Sequence, residues 1–72
     1  MGTRLFIELQ AADGEVRRLE RDYANDSAAL TEIWRLLNSH GAGRPTLLDL
    51  RWQKESGEMV LLKDLQRWAS TR

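Results

Sequence analysis

The fold is decided by residues 3–21, which read TRLFIELQAADGEVRRLER. Apolar and polar residues alternate along residues 3–11, and this alternation is typical of a β-strand with one buried face. Asp13-Gly14 is a strong turn dipeptide, and residues 15–21 carry a second strand pattern. The stretch therefore predicts a β-hairpin over residues 3–21.

The loop length of this hairpin decides which residues share a face. A two-residue turn would place Arg18 on the core face beside Ile7. A three-residue loop over residues 12–14 instead places Gly14 in the left-handed position that such loops require. This loop is favoured because its strand pairs are apolar on one face and oppositely charged on the other. The expected pairs are Ile7 with Leu19, Glu8 with Arg18, and Arg4 with Asp22.

Residues 26–40 predict one long amphipathic helix. Residues 25–27 are all good N-cap residues, and Gly41 or Gly43 supplies a C-terminal stop. At about 100° per residue, the apolar side chains of the segment fall on one side of a helix. That side holds Ala29, Leu30, Ile33, Trp34, Leu36, Leu37 and His40.

Residues 47–62 repeat the strand, turn and strand pattern of the first hairpin. The same loop type at residues 55–57 pairs Trp52 with Val60 and Leu50 with Leu62. Its core face is expected to hold Leu48, Leu50, Trp52, Val60 and Leu62. Asp64 can then cap a short helix over residues 64–70, which needs tertiary packing to persist.

Together these elements predict a single small α+β domain over residues 1–72, with the order ββαββα. The expected architecture is a four-stranded, mostly antiparallel sheet. The long helix packs on one face of the sheet, and the short helix closes the chain. Oligomerisation is one route to stability for a chain of this size, which buries only about 60% of its unfolded surface.

Composition excludes several classes of protein. The sequence has no cysteine, so disulfides, thiolate nucleophiles and cysteine metal sites are excluded. Its longest apolar run, residues 59–62, is too short to span a membrane. Eleven basic residues balance eleven acidic ones. We expect a soluble, cytoplasmic domain with no membrane partner.

No residue pattern indicates catalysis, a metal or a cofactor. His40 is the only histidine and precedes a glycine, which is typical of a helix C-terminus. The glycine-rich residues 41–45 follow a helix, whereas a phosphate-binding loop follows a strand. The carboxylates are scattered, and each has an arginine nearby in the expected register. We therefore expect no enzyme, no cofactor, no metal site and no small-molecule substrate.

The outer face of the predicted sheet is more apolar than a solvated face needs to be. It carries four large apolar residues among charged ones, and a contiguous apolar patch often marks an interface. The expected partner-binding residues are Phe6, Val16, Arg18, Arg51, Met59 and Leu61. Two alternatives stay open: the last helix folds over this side, or strand propensity alone selects these residues.

The favoured function is a non-catalytic protein–protein interaction module that self-associates and binds through the outer sheet face. The partner is then another protein or a second copy in a homo-oligomer. The alternative is a small RNA- or DNA-binding domain. Its phosphate contacts would come from Arg4, Arg17, Arg18, Arg21 and Arg44. The zero net charge disfavours it, because nucleic-acid-binding domains usually carry a basic excess.

Overall fold

The computed structural model describes residues 2–38 and 45–71. Its four-stranded sheet has the order β2-β1-β3-β4, and all neighbouring strands are antiparallel. This confirms the predicted α+β fold. The elements are β1 (Thr3–Gln10), β2 (Val16–Tyr23), α1 (Asp26–Leu37), β3 (Thr46–Gln53), β4 (Met59–Val60) and α2 (Leu62–Ser70).

Both hairpins turn through the three-residue loop that the sequence predicts. Gly14 has φ 90° and Gly57 has φ 94°, a left-handed backbone that glycine adopts without a Cβ clash. The amide of Ala11 donates to the carbonyl of Glu15 at 2.8 Å, which closes the first loop. The predicted pairs are confirmed for Ile7 with Leu19, Glu8 with Arg18, Arg4 with Asp22 and Trp52 with Val60.

The two hairpins differ in length. The first pairs along the whole of β1 and β2, whereas β4 pairs with β3 only at Val60 and Met59. The predicted pairing of Leu50 with Leu62 is wrong, because the chain has entered α2 at Leu62. The second hairpin therefore ends at Val60, two residues before the predicted end at residue 62.

Helix α2 begins two residues before the predicted start at residue 64. The carbonyl of Leu61 accepts the amides of Asp64 at 3.0 Å and Leu65 at 3.1 Å. Asp64 thus lies in the first turn of α2 and is not its N-cap. The early start brings Leu65 into the core, where it is fully buried.

Helix α1 begins as predicted and ends earlier. The side chain of Asn25 accepts the amide of Ala28 at 2.8 Å and caps the N-terminus. The helix ends at Leu37, where the side-chain amide of Asn38 donates to the carbonyl of Trp34 at 2.8 Å. Residues 39–44, which include His40 and the predicted glycine stop, lie outside the described residues.

Both helices lie on the same face of the sheet. A single core cluster joins α1 and α2 to β1 and β3. It contains Leu5, Ile7, Ala29, Ile33, Leu50, Trp52 and Leu65. The alternative in which the last helix covers the outer face is therefore wrong, because the apolar side of α2 packs into this core.

A β-bulge in β3 changes which leucine reaches the core. Leu9 pairs with Leu47 and Glu8 pairs with Asp49, so Leu48 is an extra residue in β3. Leu47 packs against the core, and Leu48 is 39% exposed. The predicted core position of Leu48 is therefore wrong.

Within residues 2–38 and 45–71, neither helix is long and apolar enough to cross a membrane.

Candidate functional site

The outer face is the side of the sheet opposite the two helices. Strand pairing arranges its central part in three rows, each of which crosses β2, β1 and β3. The rows are Arg18, Glu8 and Asp49; Glu20, Phe6 and Arg51; and Asp22, Arg4 and Gln53. Phe6 is thus the central residue of this surface and the only apolar one in the three rows.

A shallow depression of about 280 Å³ surrounds Phe6. The side chain of Phe6 is half-buried in the central strand. Charged residues from all three long strands line the depression: Glu8, Arg18, Glu20, Asp49 and Arg51. The depression therefore has an aromatic floor and a charged rim.

Ion pairs link the charges of the rim within the chain. Arg18 Nε lies 3.1 Å from Glu8 Oε2, and Arg51 Nε lies 3.4 Å from Asp49 Oδ2. Because these side chains are largely exposed, such pairs contribute little to stability and exchange readily with other partners. The charged groups of the outer face therefore stay exposed to solvent.

Among the described residues, Arg4 forms the shortest ion pair on this face. Its Nε donates to Asp22 Oδ1 at 2.7 Å, and its Nη1 lies 3.9 Å from Glu20 Oε2. The hydrogen bond to Asp22 raises the pKa of Arg4 above its ordinary value, and the negative charge of Asp22 adds to the effect. Arg4 thus bridges two acidic residues of β2.

The structure brings together three of the six residues predicted to bind a partner. Phe6, Arg18 and Arg51 line the same depression. Val16 is exposed at the start of β2, opposite Gln10. Met59 and Leu61 are exposed at the other edge of the sheet, on β4 and just after it. The strand order places charged residues between these apolar ones, so they do not form one continuous patch.

The arginines predicted for nucleic acid do not share a surface. Arg17 and Arg21 pair with Leu9 and Leu5, which puts both on the helix side of β2. Arg4 and Arg18 lie on the outer face, where each pairs with a carboxylate. Arg44 lies outside the described residues.

Three acidic residues of the rim were not predicted as part of a binding site. The sequence allows Glu8, Glu20 and Asp49 to approach one another across the sheet, but it favours solvated ion pairs with nearby arginines for all three. Their strand positions carried the missing signal, because the register of the first hairpin already put Glu8 and Glu20 on the outer face beside Phe6. The position of Asp49 needed the pairing of β1 with β3, which is a long-range contact.

A second surface lies on the helix side of the molecule. Trp34 and Trp68 meet edge to face, with ring centroids 6.0 Å apart. They line a groove of about 330 Å³ between α1 and α2, together with Ser27, Leu30 and Thr31. This groove is the main alternative to the outer face as a candidate docking surface.

Among the described residues, no group of three or more histidine or acidic side chains is placed to hold a metal ion. Comparison with protein-family models, curated proteins and solved structures found no match to this chain. Its function must therefore be inferred from the arrangement of the outer face.

Proposed function

We propose that this chain is a non-catalytic protein-interaction module that binds its partner through the outer face of the sheet. The observation that carries the proposal is the position of Phe6. It is a half-buried aromatic residue at the centre of a sheet face that neither helix covers. Protein interfaces commonly have an aromatic centre surrounded by a polar rim.

The composition of the rim supports a protein partner. Arg18 and Arg51 flank the depression, and arginine is enriched both in protein interfaces and among the residues that dominate binding energy. Its planar guanidinium can hold a carboxylate of the partner through two hydrogen bonds. The acidic residues of the same rim offer matching acceptors to basic groups of the partner.

The same rim makes nucleic acid a poorer fit. On the outer face, the guanidinium Nε atoms of Arg4, Arg18 and Arg51 each lie 2.7 to 3.4 Å from a carboxylate oxygen. A phosphate backbone would meet these acids as well as the arginines, and nucleic-acid-binding surfaces need a basic excess. The protein partner is therefore the better explanation of this face.

Site-specific photo-crosslinking in the native cells tests the proposal. A photo-reactive amino acid replaces Arg51 on the outer face in one variant, and exposed Lys63 on α2 in a matched control. We expect a protein adduct from position 51 and none from position 63. Adding Phe6→Ser should reduce the adduct from position 51 by about tenfold or more, because an aromatic anchor is lost.

Two results would overturn the proposal. One is the absence of any protein adduct from position 51. The other is an adduct whose yield does not change with Phe6→Ser. Thermal unfolding of each variant, followed by circular dichroism, shows that any loss of adduct comes from a folded protein.

A further inference from the structure

We infer that the outer face binds a second copy of the same chain, sheet against sheet. The two copies are related by a two-fold axis that lies between the two sheets and runs parallel to β1. The inference rests on the proposed function and specifies the partner of the same surface. Three observations support it: the signs of the charges on β2 and β3, the central place of Phe6, and the zero net charge of the chain.

In two of the three rows, the two strands that flank β1 carry charges of opposite sign; in the third, Asp22 stands opposite the neutral Gln53. In the row of Phe6, β2 presents Glu20 and β3 presents Arg51. In the row of Glu8, β2 presents Arg18 and β3 presents Asp49. A two-fold axis along β1 exchanges the β2 side with the β3 side. Arg51 then faces Glu20 of the second copy, and Arg18 faces Asp49 of the second copy.

The central strand is compatible with the same axis. Phe6 lies beside the axis and contacts Phe6 of the second copy across it, as expected for the apolar centre of an isologous interface. Glu8 and Arg4 also lie near the axis, where each would approach its own copy. Their charges are already compensated within one chain, Glu8 by Arg18 at 3.1 Å and Arg4 by Asp22 at 2.7 Å.

The charge and size of the face fit a weak dimer. Eleven basic and eleven acidic residues leave no net charge, so two copies do not repel each other at long range. Three strands of eight residues, at about 3.3 Å per residue and about 4.8 Å between strands, give a face of roughly 400 Å² per copy, or about 800 Å² in total, which is in the range of weak, transient interfaces. Area alone does not determine affinity, but a small face with exposed ion pairs is typical of weak association, so we expect a dissociation constant of about 10–100 μM.

Charge reversal in separate molecules tests this arrangement directly. Glu20→Arg places arginine against Arg51 of the second copy, and Arg51→Glu places glutamate against Glu20 of the second copy. Each variant alone should self-associate about tenfold more weakly than the wild type. In an equimolar mixture, both cross-copy contacts pair opposite charges again, so a heterodimer should form with near wild-type affinity. Sedimentation equilibrium and isothermal titration calorimetry measure these constants.

The matched control is Lys63→Glu, a charge reversal at an exposed residue of α2. It should leave self-association of the wild-type face unchanged. Unfolding midpoints of all three variants should stay close to that of the wild type, since the altered side chains are exposed.

Three results would overturn the inference. The wild type could remain monomeric at about 1 mM, which is roughly an order of magnitude above the expected constant. Either single variant could associate as strongly as the wild type. The mixture could fail to restore association that both single variants have lost, which would exclude the two-fold axis along β1. If one of these results is found but the photo-reactive residue at position 51 still gives a protein adduct that depends on Phe6, the proposed function stands and the partner is a different protein.

Discussion

The two faces of the sheet are formed by the same strands, but one is buried and the other is exposed to solvent. On the helix side, Leu5 and Leu50 are fully buried and belong to one apolar core. On the outer side, the neighbouring residues Phe6 and Arg51 stay in contact with solvent. Because adjacent residues of a strand point to opposite faces, the residues that stabilise the fold alternate with those we propose to bind a partner.

This separation has a practical consequence for mutagenesis. Substitutions on the helix side should change the free energy of unfolding, whereas substitutions on the outer side should change association. A chain of this length has a small stability margin, so the two effects are easiest to distinguish when the outer-face variants remain folded.

The largest effect is expected from truncation of the core. Leu50→Ala removes a fully buried side chain on the helix side and leaves a cavity. It should lower the free energy of unfolding by about 2–5 kcal/mol, which is most of the stability of a small domain. Urea denaturation followed by tryptophan fluorescence measures the change. A loss below about 1 kcal/mol would contradict the description of this face as the core.

The next effect concerns the register that keeps the two faces apart. A slip of one residue would move every side chain of a strand to the other face, and Gly14 fixes the loop that prevents it. A Cβ at Gly14 meets no atom within 4 Å, so the cost of Gly14→Ala comes from its positive φ alone. We expect a loss of about 1–2 kcal/mol.

Gly57 provides the matched comparison for Gly14. It has nearly the same φ, and a Cβ added at Gly57 would likewise meet no atom within 4 Å. Gly57→Ala should therefore destabilise the protein by a similar amount. Unfolding free energies of the two variants that differ by more than about 1 kcal/mol in denaturant titrations would show that the loops are not equivalent.

On the outer face, Phe6→Ser should have a small effect on stability and a large one on association. Phe6 is half-buried, so its loss costs about 1 kcal/mol of unfolding free energy. Leu48→Ser is the control, because Leu48 is also apolar and exposed but lies at the bulge, outside the depression. Only Phe6→Ser should weaken association. Equal weakening by both variants would point to general hydrophobic contact instead of the depression.

The smallest effect concerns Tyr23, which lies on the helix side of β2. Burial raises the pKa of Tyr23 above its ordinary value of 10.0, and the negative charge of Glu32 adds to this shift. The folded state therefore holds the phenolic proton more tightly than the unfolded state does. The contribution of Tyr23 to the free energy of unfolding is therefore fully present below pH 10.0, and it should be lost as the pH rises through the raised pKa.

Tyr23→Phe removes this group and tests the pH effect. Unfolding free energies at pH 9 and pH 11, on either side of the ordinary tyrosine pKa of about 10, should differ less in the variant than in the wild type. An equal difference in both proteins would show that Tyr23 does not contribute to the alkaline loss of stability.

Local features of the sequence predicted most of the fold. Strand alternation and the glycine loops predicted the pairing of Ile7 with Leu19 and of Trp52 with Val60, because turn geometry determines register over short distances. The bulge at Leu48 and the early start of α2 at Leu62 could not be predicted in this way. Both depend on tertiary packing, which draws Leu47 and Leu65 toward the core.

The candidate site was predicted only in part for the same reason. The face on which Phe6 lies follows from the alternation of β1. Its neighbour on β2, Glu20, follows from the register of the first hairpin. Its neighbour on the other side follows from the strand order, which requires the pairing of β1 with β3. That pairing brings Arg51 beside Phe6 and moves Met59 to the far edge, so the expected apolar patch becomes an aromatic centre with a charged rim.

The most direct measurement of the central claim is a concentration series of amide chemical shifts on the wild-type protein. If the outer face binds a second copy, shifts should change with concentration at Phe6, Glu20 and Arg51, with a common dissociation constant of about 10–100 μM. Amides around Trp34 in the helix groove should not change. Concentration-dependent shifts confined to that groove, or no shifts at all, would contradict the account.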